Sequence, residues 1–216
     1  MEERYRDSKG VPVPGVTDIM DALAKPALVK WANKIGLDGY SLKEWVDPLG
    51  DVGTLAHKMI AADMAGFDAD AYCTDAPRHI IDMAENSFLS YLEWRKGKYI
   101  EPIHTEKTIV SDTLRCGGRL DFLGYIDGLI TVADYKTGNL YENHWYQVAA
   151  YGTLASVELN INIQQFMLLN IPRTEDEKFY VDIRYSVFNE WRIFNKLKEI
   201  CEISGGNYGK RITPRN

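Results

Sequence analysis

Two hydrophobic runs joined by Asp127-Gly128 constrain the fold of this 216-residue chain more than any other stretch. Both runs, residues 117–126 and 129–136, are rich in β-branched and aromatic residues. An Asp-Gly pair between such runs is the strongest short-range signal for a two-residue hairpin. We therefore predict two antiparallel strands in which Ile126 faces Leu129.

Counting outward from this turn brings charged residues opposite each other. If neither strand carries a bulge, Asp121 faces Asp134, and Arg119 faces Lys136 on the same side of the sheet. Facing carboxylates about 5 Å apart destabilise a sheet, so something should neutralise them. Mg²⁺ and Mn²⁺, which prefer oxygen ligands, are the natural candidates. The alternative is a slipped register that leaves both aspartates as solvated hairpin charges.

A helix is predicted after the hairpin, over residues 142–157. Its apolar pattern begins after a turn-like break at 137–139. Gln147, Tyr151 and Leu154 are spaced at i, i+4 and i+7, so they lie on one stripe of the helix. An amide and a phenol therefore share a face with core residues.

The order GRLD, ADYK and Gln-x-x-x-Tyr resembles the RecB-like branch of the PD-(D/E)XK nucleases, which includes phage exonucleases and the mitochondrial genome maintenance exonuclease. Each motif alone is weak, but together, in this order and at this spacing, they are strong. The resemblance implies an α/β fold: a PD-(D/E)XK restriction-endonuclease-like core, with a mixed central β-sheet flanked by helices and an N-terminal helical extension. It also implies that Asp121 and Asp134 bind metal, that Lys136 activates or orients water, and that Gln147 and Tyr151 border the site.

Three further metal ligands are candidates. Gly53 and His57 match a Gly-x-x-x-His segment whose histidine can bind the metal in this family, although a lone histidine in an amphipathic helix is more often a packing residue. Glu106 lies in a strand predicted over 99–110 and is a second-rank ligand, with a solvated strand glutamate as the alternative. The backbone carbonyl of Tyr135 is the third candidate.

The N-terminal segment VTDIMDALAKPALVKWA resembles the corresponding region of exonucleases in the same branch. Thr17 is a candidate helix cap within it, and residues 1–15 are predicted to form an arm or loop. Its lysines could contact the DNA backbone, although each could equally lie on a solvated helix face. The candidate DNA-binding side chains are Lys25, Lys30, Lys34, Arg119, Gln147 and Tyr151.

The remaining elements follow from hydrophobic periodicity. Helical patterns occupy 52–65, 76–96 and 187–203, whereas 162–171 and 178–187 have the patterns of strands. With 45% hydrophobic residues, the chain can bury one substantial core. We predict a single domain with three parts: an N-terminal arm and helical region over 1–97, a nuclease core over 98–204, and a flexible basic tail over 205–216.

Composition narrows the function and the location. The net charge of −6 argues against coating nucleic acid by bulk electrostatics, but it is compatible with a nuclease whose groove is locally positive. No apolar run approaches the roughly 18 residues that span a bilayer, and the N-terminus lacks the apolar stretch of a signal peptide. We therefore expect a soluble cytoplasmic protein without a membrane partner, in the host cytoplasm if a phage encodes it.

Cysteine content and loop motifs bear on the cofactors. Cys73, Cys116 and Cys201 are far apart and odd in number, which indicates reduced thiols. Some RecB-like nucleases bind an iron–sulfur cluster through four cysteines, but only Cys201 follows the core here, so we expect no iron–sulfur cluster. There is no GxxxxGK[ST] loop, so we expect no nucleotide cofactor.

The resemblance thus implies a metal-dependent DNA exonuclease of phage-type recombination, repair or replication. Its partners would be DNA, single-stranded or with a free end, and proteins of those pathways. Two alternatives stay open: a structure-specific endonuclease with the same site, and an inactive DNA-binding protein on a nuclease fold. Intact Asp121, Asp134 and Lys136 argue against the second, since a binding module has little reason to keep carboxylates that repel phosphate.

Overall fold

A computed structural model describes residues 5–23, 26–72 and 76–204 of the chain. A small N-terminal hairpin and four helices precede a larger sheet, which is interrupted by one helix and followed by another. The elements are β1 (Tyr5–Arg6), β2 (Pro12–Val13), α1 (Val16–Met20), α2 (Pro26–Leu37), α3 (Leu42–Met64), α4 (Arg78–Arg95), β3 (Ile100–Ser111), β4 (Cys116–Ile126), β5 (Leu129–Lys136), α5 (Glu142–Leu159), β6 (Gln165–Asn170), β7 (Tyr180–Arg184) and α6 (Phe188–Ile203), with a short 3₁₀ turn at Ala69–Tyr72.

The larger sheet has five strands in the order β3-β4-β5-β6-β7. Strands β5 and β6 are parallel, while the other neighbours are antiparallel. Helix α5 connects the two parallel strands, as such a pair requires a crossover. The predicted α/β class, a mixed central sheet flanked by helices, is confirmed.

Helices cover both faces of this sheet because neighbouring residues of a strand point to opposite sides. Val132 packs in one core with residues of α1, α5 and α6. Ala133, the next residue, packs in a second core with residues of α3 and α4. The central strands therefore carry nearly continuous apolar sequence, interrupted by the candidate site residues.

The Asp127-Gly128 turn forms as predicted. Asp127 and Gly128 have φ values of 50° and 83°, which are the two left-handed positions of a type I′ hairpin. Ile126 pairs with Leu129, and the register continues without a bulge to Phe122 and Ala133.

Beyond that pair the ladder between β4 and β5 ends, so the predicted pairings of Asp121 with Asp134 and of Arg119 with Lys136 are both wrong. On the other side of β4, Arg119 pairs with Thr108 of β3. The physical reason lies in the side chain of Asp121, whose Oδ2 accepts a hydrogen bond from the backbone N–H of Tyr135 at 2.8 Å. This carboxylate satisfies the first donor at the open end of the ladder.

The first fifteen residues are more ordered than an arm or loop, and that prediction is wrong for the part that the structure describes. Strands β1 and β2 pair, and the N–H of Gly117 donates to the carbonyl of Pro14 at 3.0 Å. Helix α1 begins at Val16 rather than at a Thr17 cap. The carboxylate of Asp18 accepts from the N–H of Gly15 at 3.0 Å and fixes the helix start there.

Most other boundaries differ from the predictions by a few residues, and the largest difference is in α3. This helix starts at Leu42, ten residues before the predicted span, and contains Pro48. The division at residues 97 and 204 stays a prediction, and the tail over 205–216 lies outside the described residues. Among the helices described, none combines the length and the apolar character that crossing a membrane would take.

Candidate active site and metal centre

Three potential metal ligands meet where β4 separates from β5. The Nδ1 atom of His57 lies 3.4 Å from Asp121 Oδ1 and 3.6 Å from Glu106 Oε1. One ligand atom from each residue fits within a 4.8 Å cluster. All three were sequence candidates, and they come from a helix and two different strands.

Helix α3 can bring His57 to the sheet because Gly53 lies one turn before it. A Cβ atom on Gly53 would lie 3.2 Å from Thr137 Oγ1, just past the end of β5. The His57 ring also meets the ring of Tyr135 edge-on, with centroids 5.7 Å apart. The Gly-x-x-x-His spacing therefore has a packing reason in this chain.

Glu106 occupies an unusual backbone conformation in the middle of β3. Its φ is 51°, in the left-handed region that residues with a side chain rarely adopt. The paired residues Thr105–Phe122 and Lys107–Leu120 flank it, which leaves Glu106 opposite Asp121 at a gap in the ladder. Such strain persists only where the surrounding structure imposes it, and it clusters at functional sites.

The buried Asp134 forms an ion pair with the partly buried Lys136 beside this cluster. Asp134 is 1% exposed, and its Oδ2 atom lies 2.5 Å from Lys136 Nζ. The Lys136 ammonium neutralises this oxygen, for which the described residues offer no second donor. Asp134 does not belong to the 4.8 Å cluster of His57, Glu106 and Asp121.

The pKa values of these groups follow from burial and from each other's charge. Burial, together with the negative charge of Asp121, raises the pKa of Asp134 to about 6 against the opposing effect of Lys136. Burial would lower the pKa of His57, but the adjacent Asp121 and Glu106 raise it to about 10. Burial likewise opposes ionisation of Asp121, yet His57 keeps its pKa below the usual range. Without metal, His57 is therefore an imidazolium paired with a carboxylate.

Each carboxylate of the site thus touches a cationic side chain of the same protein. The three contacts are His57 with Asp121, Lys136 with Asp134, and Arg119 with Glu106. Carboxylate oxygens with one imidazole suit Mg²⁺ or Mn²⁺, and at Asp134 Oδ2 such a cation would have to replace the Lys136 ammonium. The donor set therefore fits a divalent cation.

A cleft of about 210 Å³ opens in front of the cluster. Sequence motifs gave no signal that Tyr5, Thr54, Lys58 or Gly118 belongs to a site. Thr54 and Lys58 lie on α3 next to His57, whereas the other residues come from distant parts of the chain. The cleft is lined by Tyr5, Val16, Thr17, Thr54, His57, Lys58, Glu106, Gly118, Arg119, Asp121 and Tyr151.

Gln147 and Tyr151 border the site from α5. Gln147 Nε2 donates to the Tyr151 hydroxyl at 2.7 Å, as their spacing on one stripe allows. The Tyr151 ring packs directly on β4, where a Cβ atom on Gly118 would lie 2.6 Å from its Cε1. Burial and the charge of Asp134 raise the pKa of Tyr151 well above its usual range, so the phenol stays neutral.

The lysines predicted to bind DNA, where the structure describes them, are not found at the cluster of His57, Glu106 and Asp121. Lys30 and Lys34 are exposed on α2 and do not line the cleft. Lys25 lies outside the described residues, as does Cys73. Cys116 and Cys201 are buried. The DNA contacts, the Tyr135 carbonyl as a ligand, and the absence of an iron–sulfur cluster stay predictions.

No protein-family model and no curated protein matches the chain. Among solved structures, the chain is similar to a protein from Eubacterium rectale that is provisionally named an exonuclease, with 11% identity, a TM-score of 0.45, and coverage of 76% of this chain and 77% of that one. It is also similar to a protein named SSO0001, with 17% identity, a TM-score of 0.36, and coverage of 74% and 77%. Both likenesses are weak, so the function has to be argued from the side chains of the site.

Proposed function

We propose that this protein is a Mg²⁺- or Mn²⁺-dependent DNA exonuclease that hydrolyses phosphodiester bonds. The observation that carries the proposal is the convergence of His57, Glu106 and Asp121 at the open end of a ladder, beside the buried pair of Asp134 and Lys136. Burying carboxylates close together is costly unless a cation uses them. A module that only binds DNA would have no use for that arrangement.

The metal would be held by five groups: the side chains of Asp121, Asp134, His57 and Glu106, and the backbone carbonyl of Tyr135. A bound divalent cation supplies positive charge that polarises the phosphate and makes water more acidic. Lys136, two residues along β5 from Asp134, orients the attacking water or offsets negative charge on the phosphate.

The walls of the cleft support a phosphate-bearing substrate. Lys58 and Arg119 provide positive charge, while Thr17 and Thr54 provide hydroxyl groups, and both kinds of group bind DNA phosphates. Helices α1 and α3 both contribute residues to these walls, and the substrate that we propose is a single strand or a strand end. Gln147 and Tyr151 position the strand or the catalytic groups.

The biological setting of the proposal comes from the sequence alone. The family resemblance implies a role in phage-type DNA recombination, repair or replication, with the proteins of those processes as partners; the cytoplasmic location that we propose rests on the hydropathy of the sequence.

The deciding experiment is degradation of end-labelled linear DNA, single- and double-stranded, beside a closed circle, in Mg²⁺, Mn²⁺ or EDTA. We expect loss of linear DNA that requires metal and is abolished by Lys136→Ala, with the circle spared. Lys196→Ala is the matched control, because this lysine is exposed on α6, where it pairs with Glu199.

Each other result assigns a different function. If the circle is cut with the same dependence on metal and Lys136, the protein is an endonuclease. If DNA binds but no substrate is cut, the protein is an inactive binding module, and the proposal fails.

A further inference from the structure

Asn170 carries a buried oxygen that the site described above does not use. Its Oδ1 atom and Asp134 Oδ2 are the two buried side-chain oxygens without a hydrogen-bond partner in the part of the chain that the structure describes. A buried acceptor without a donor costs free energy, so its presence calls for an explanation.

Asn170 lies beside Lys136. Asn170 ends β6, Lys136 ends β5, and the two residues are register partners in the parallel ladder. Partners in neighbouring strands point to the same face of a sheet. The same register makes Leu168 the partner of Asp134, so Asn170 is the one polar neighbour on β6 along this stretch.

The orientation of the Asn170 amide is fixed by its other contact. Its Nδ2 donates to the carbonyl of Lys178 at 3.0 Å, and only the amino group of the amide can donate to a carbonyl. The remaining oxygen is therefore an acceptor. The Lys136 ammonium has three N–H donors.

We propose that Asn170 Oδ1 is a second acceptor for the Lys136 ammonium, which moves to it when a divalent cation takes Asp134. This inference rests on the proposed roles of Asp134 and Lys136. A cation at Asp134 would repel the Lys136 ammonium that touches this carboxylate in the structure. A partly buried ammonium that loses its carboxylate needs another acceptor, and the unbonded oxygen on the neighbouring strand provides one. Asn170 is thus a positioning residue that holds the Lys136 ammonium where it can act on the attacking water or the phosphate.

A purely structural role is the competing explanation, because the contact with Lys178 also joins β6 to the segment before β7. The test therefore needs a direct view of Lys136. We suggest ¹⁵N NMR of the lysine side-chain ammonium groups, with the Lys136 signal assigned by its loss in Lys136→Arg.

In the wild type, Mg²⁺ should shift the Lys136 signal and leave its hydrogens protected from exchange. In Asn170→Leu with Mg²⁺, exchange should be about tenfold faster, because the charged group has lost one hydrogen bond. Gln165→Leu is the matched control: Gln165 is a buried amide at the other end of β6, bonded to Thr131 at 3.0 Å, and its loss should leave the Lys136 signal as in the wild type.

A second arm needs neither metal nor cleavage. Asp134→Asn removes the charge that attracts Lys136, so in EDTA the Lys136 signal of this variant should depend on Asn170. Adding Asn170→Leu to Asp134→Asn should then speed exchange, while Asn170→Asp, which retains an oxygen at this position, should keep it slow. If Asn170→Leu does not fold, the comparison of Asn170→Ser with Asn170→Asp replaces it.

Kinetics separate positioning from binding. We expect Asn170→Leu to lower kcat about tenfold with KM nearly unchanged, and Asn170→Asp to recover part of the loss. Unchanged Lys136 exchange in both NMR arms would overturn the inference, whatever the activity. A wild type that cuts no DNA would instead remove the proposed function, and the metal-free arm would still decide the role of Asn170.

Discussion

At the scale of single residues, the candidate site is a set of carboxylates held by the protein's own cations. His57, Lys136 and Arg119 each pair with one of these acids in the structure. Any metal that binds must compete with these three contacts. Two measurable consequences follow from the pKa values of His57 and Asp134.

The first concerns protons released by metal. With a pKa of about 10, His57 is protonated at pH 7.5 and must lose its proton to become a ligand. We predict that Mg²⁺ or Mn²⁺ binding releases close to one proton at this pH, and that affinity rises with pH. Titration calorimetry in two buffers of different ionisation enthalpy measures the number of protons released when the metal binds. His57→Gln should release fewer protons, and an unchanged number in this variant would exclude His57 as a ligand.

The second concerns Asp134 and stability. A pKa of about 6, above the ordinary 3.8, means that the folded state binds this proton more tightly than the unfolded state. Stability from this group therefore falls as pH rises from about 4 to 6. We predict that Asp134→Asn abolishes cleavage. In denaturant titrations in EDTA at pH 7, its free energy of unfolding should exceed that of the wild type by on the order of 1–3 kcal/mol. The difference should shrink toward pH 4, and a constant difference would contradict the prediction.

At the scale of elements, the distance between α3 and the end of β5 sets the position of His57. Gly53 faces Thr137 at this contact. A methyl group there would come 3.2 Å from Thr137 Oγ1, so either Thr137 or the helix must shift slightly, and a shift of the helix would move His57.

We therefore predict that Gly53→Ala weakens metal binding and lowers kcat several-fold, and that adding Thr137→Ala restores part of both. Gly50→Ala is the matched control, since Gly50 lies three residues earlier on α3 with nothing within 4 Å of the added Cβ. It should leave activity unchanged and stabilise the helix slightly. Equal losses from both glycine substitutions would show that the contact between Gly53 and Thr137 is not responsible.

The elements also show what a sequence can predict here. The type I′ turn and the strand register as far as Phe122 could be predicted from the sequence. Asp127-Gly128 and the alternation of side chains in the two flanking strands are local signals. The sequence could not predict that the ladder opens at Asp121 or that Glu106 has a left-handed backbone conformation. Both features depend on how three strands and α3 meet. The pairing of residues 5–6 with 12–13 was missed because two-residue strands leave no periodicity.

The cleft walls show the same limit. Residues that come together only in the folded chain, such as Tyr5 with Gly118, share no sequence spacing. Gln147 and Tyr151, by contrast, are four residues apart on a single helix, and their hydrogen bond follows from the helical period.

At the scale of the whole molecule, a metal that binds only the folded state should stabilise all of it. Free metal at 100 times its Kd adds about 2.7 kcal/mol. For a domain of this size, we predict that saturating Mg²⁺ or Mn²⁺ raises Tm by about 5 to 10 °C relative to EDTA. Differential scanning calorimetry provides the measurement. Asp121→Asn should show a much smaller rise, and equal rises in both proteins would place the stabilising metal elsewhere.

The N-terminal hairpin has a practical consequence for anyone who prepares this protein. Tyr5 lines the cleft and packs against Gly117, where a Cβ atom would come within 2.7 Å of its ring. A polyhistidine tag ahead of this residue would be tethered only a few residues from the cleft, where it could capture the very ions under study. Any N-terminal tag should therefore be cleaved before metal titrations.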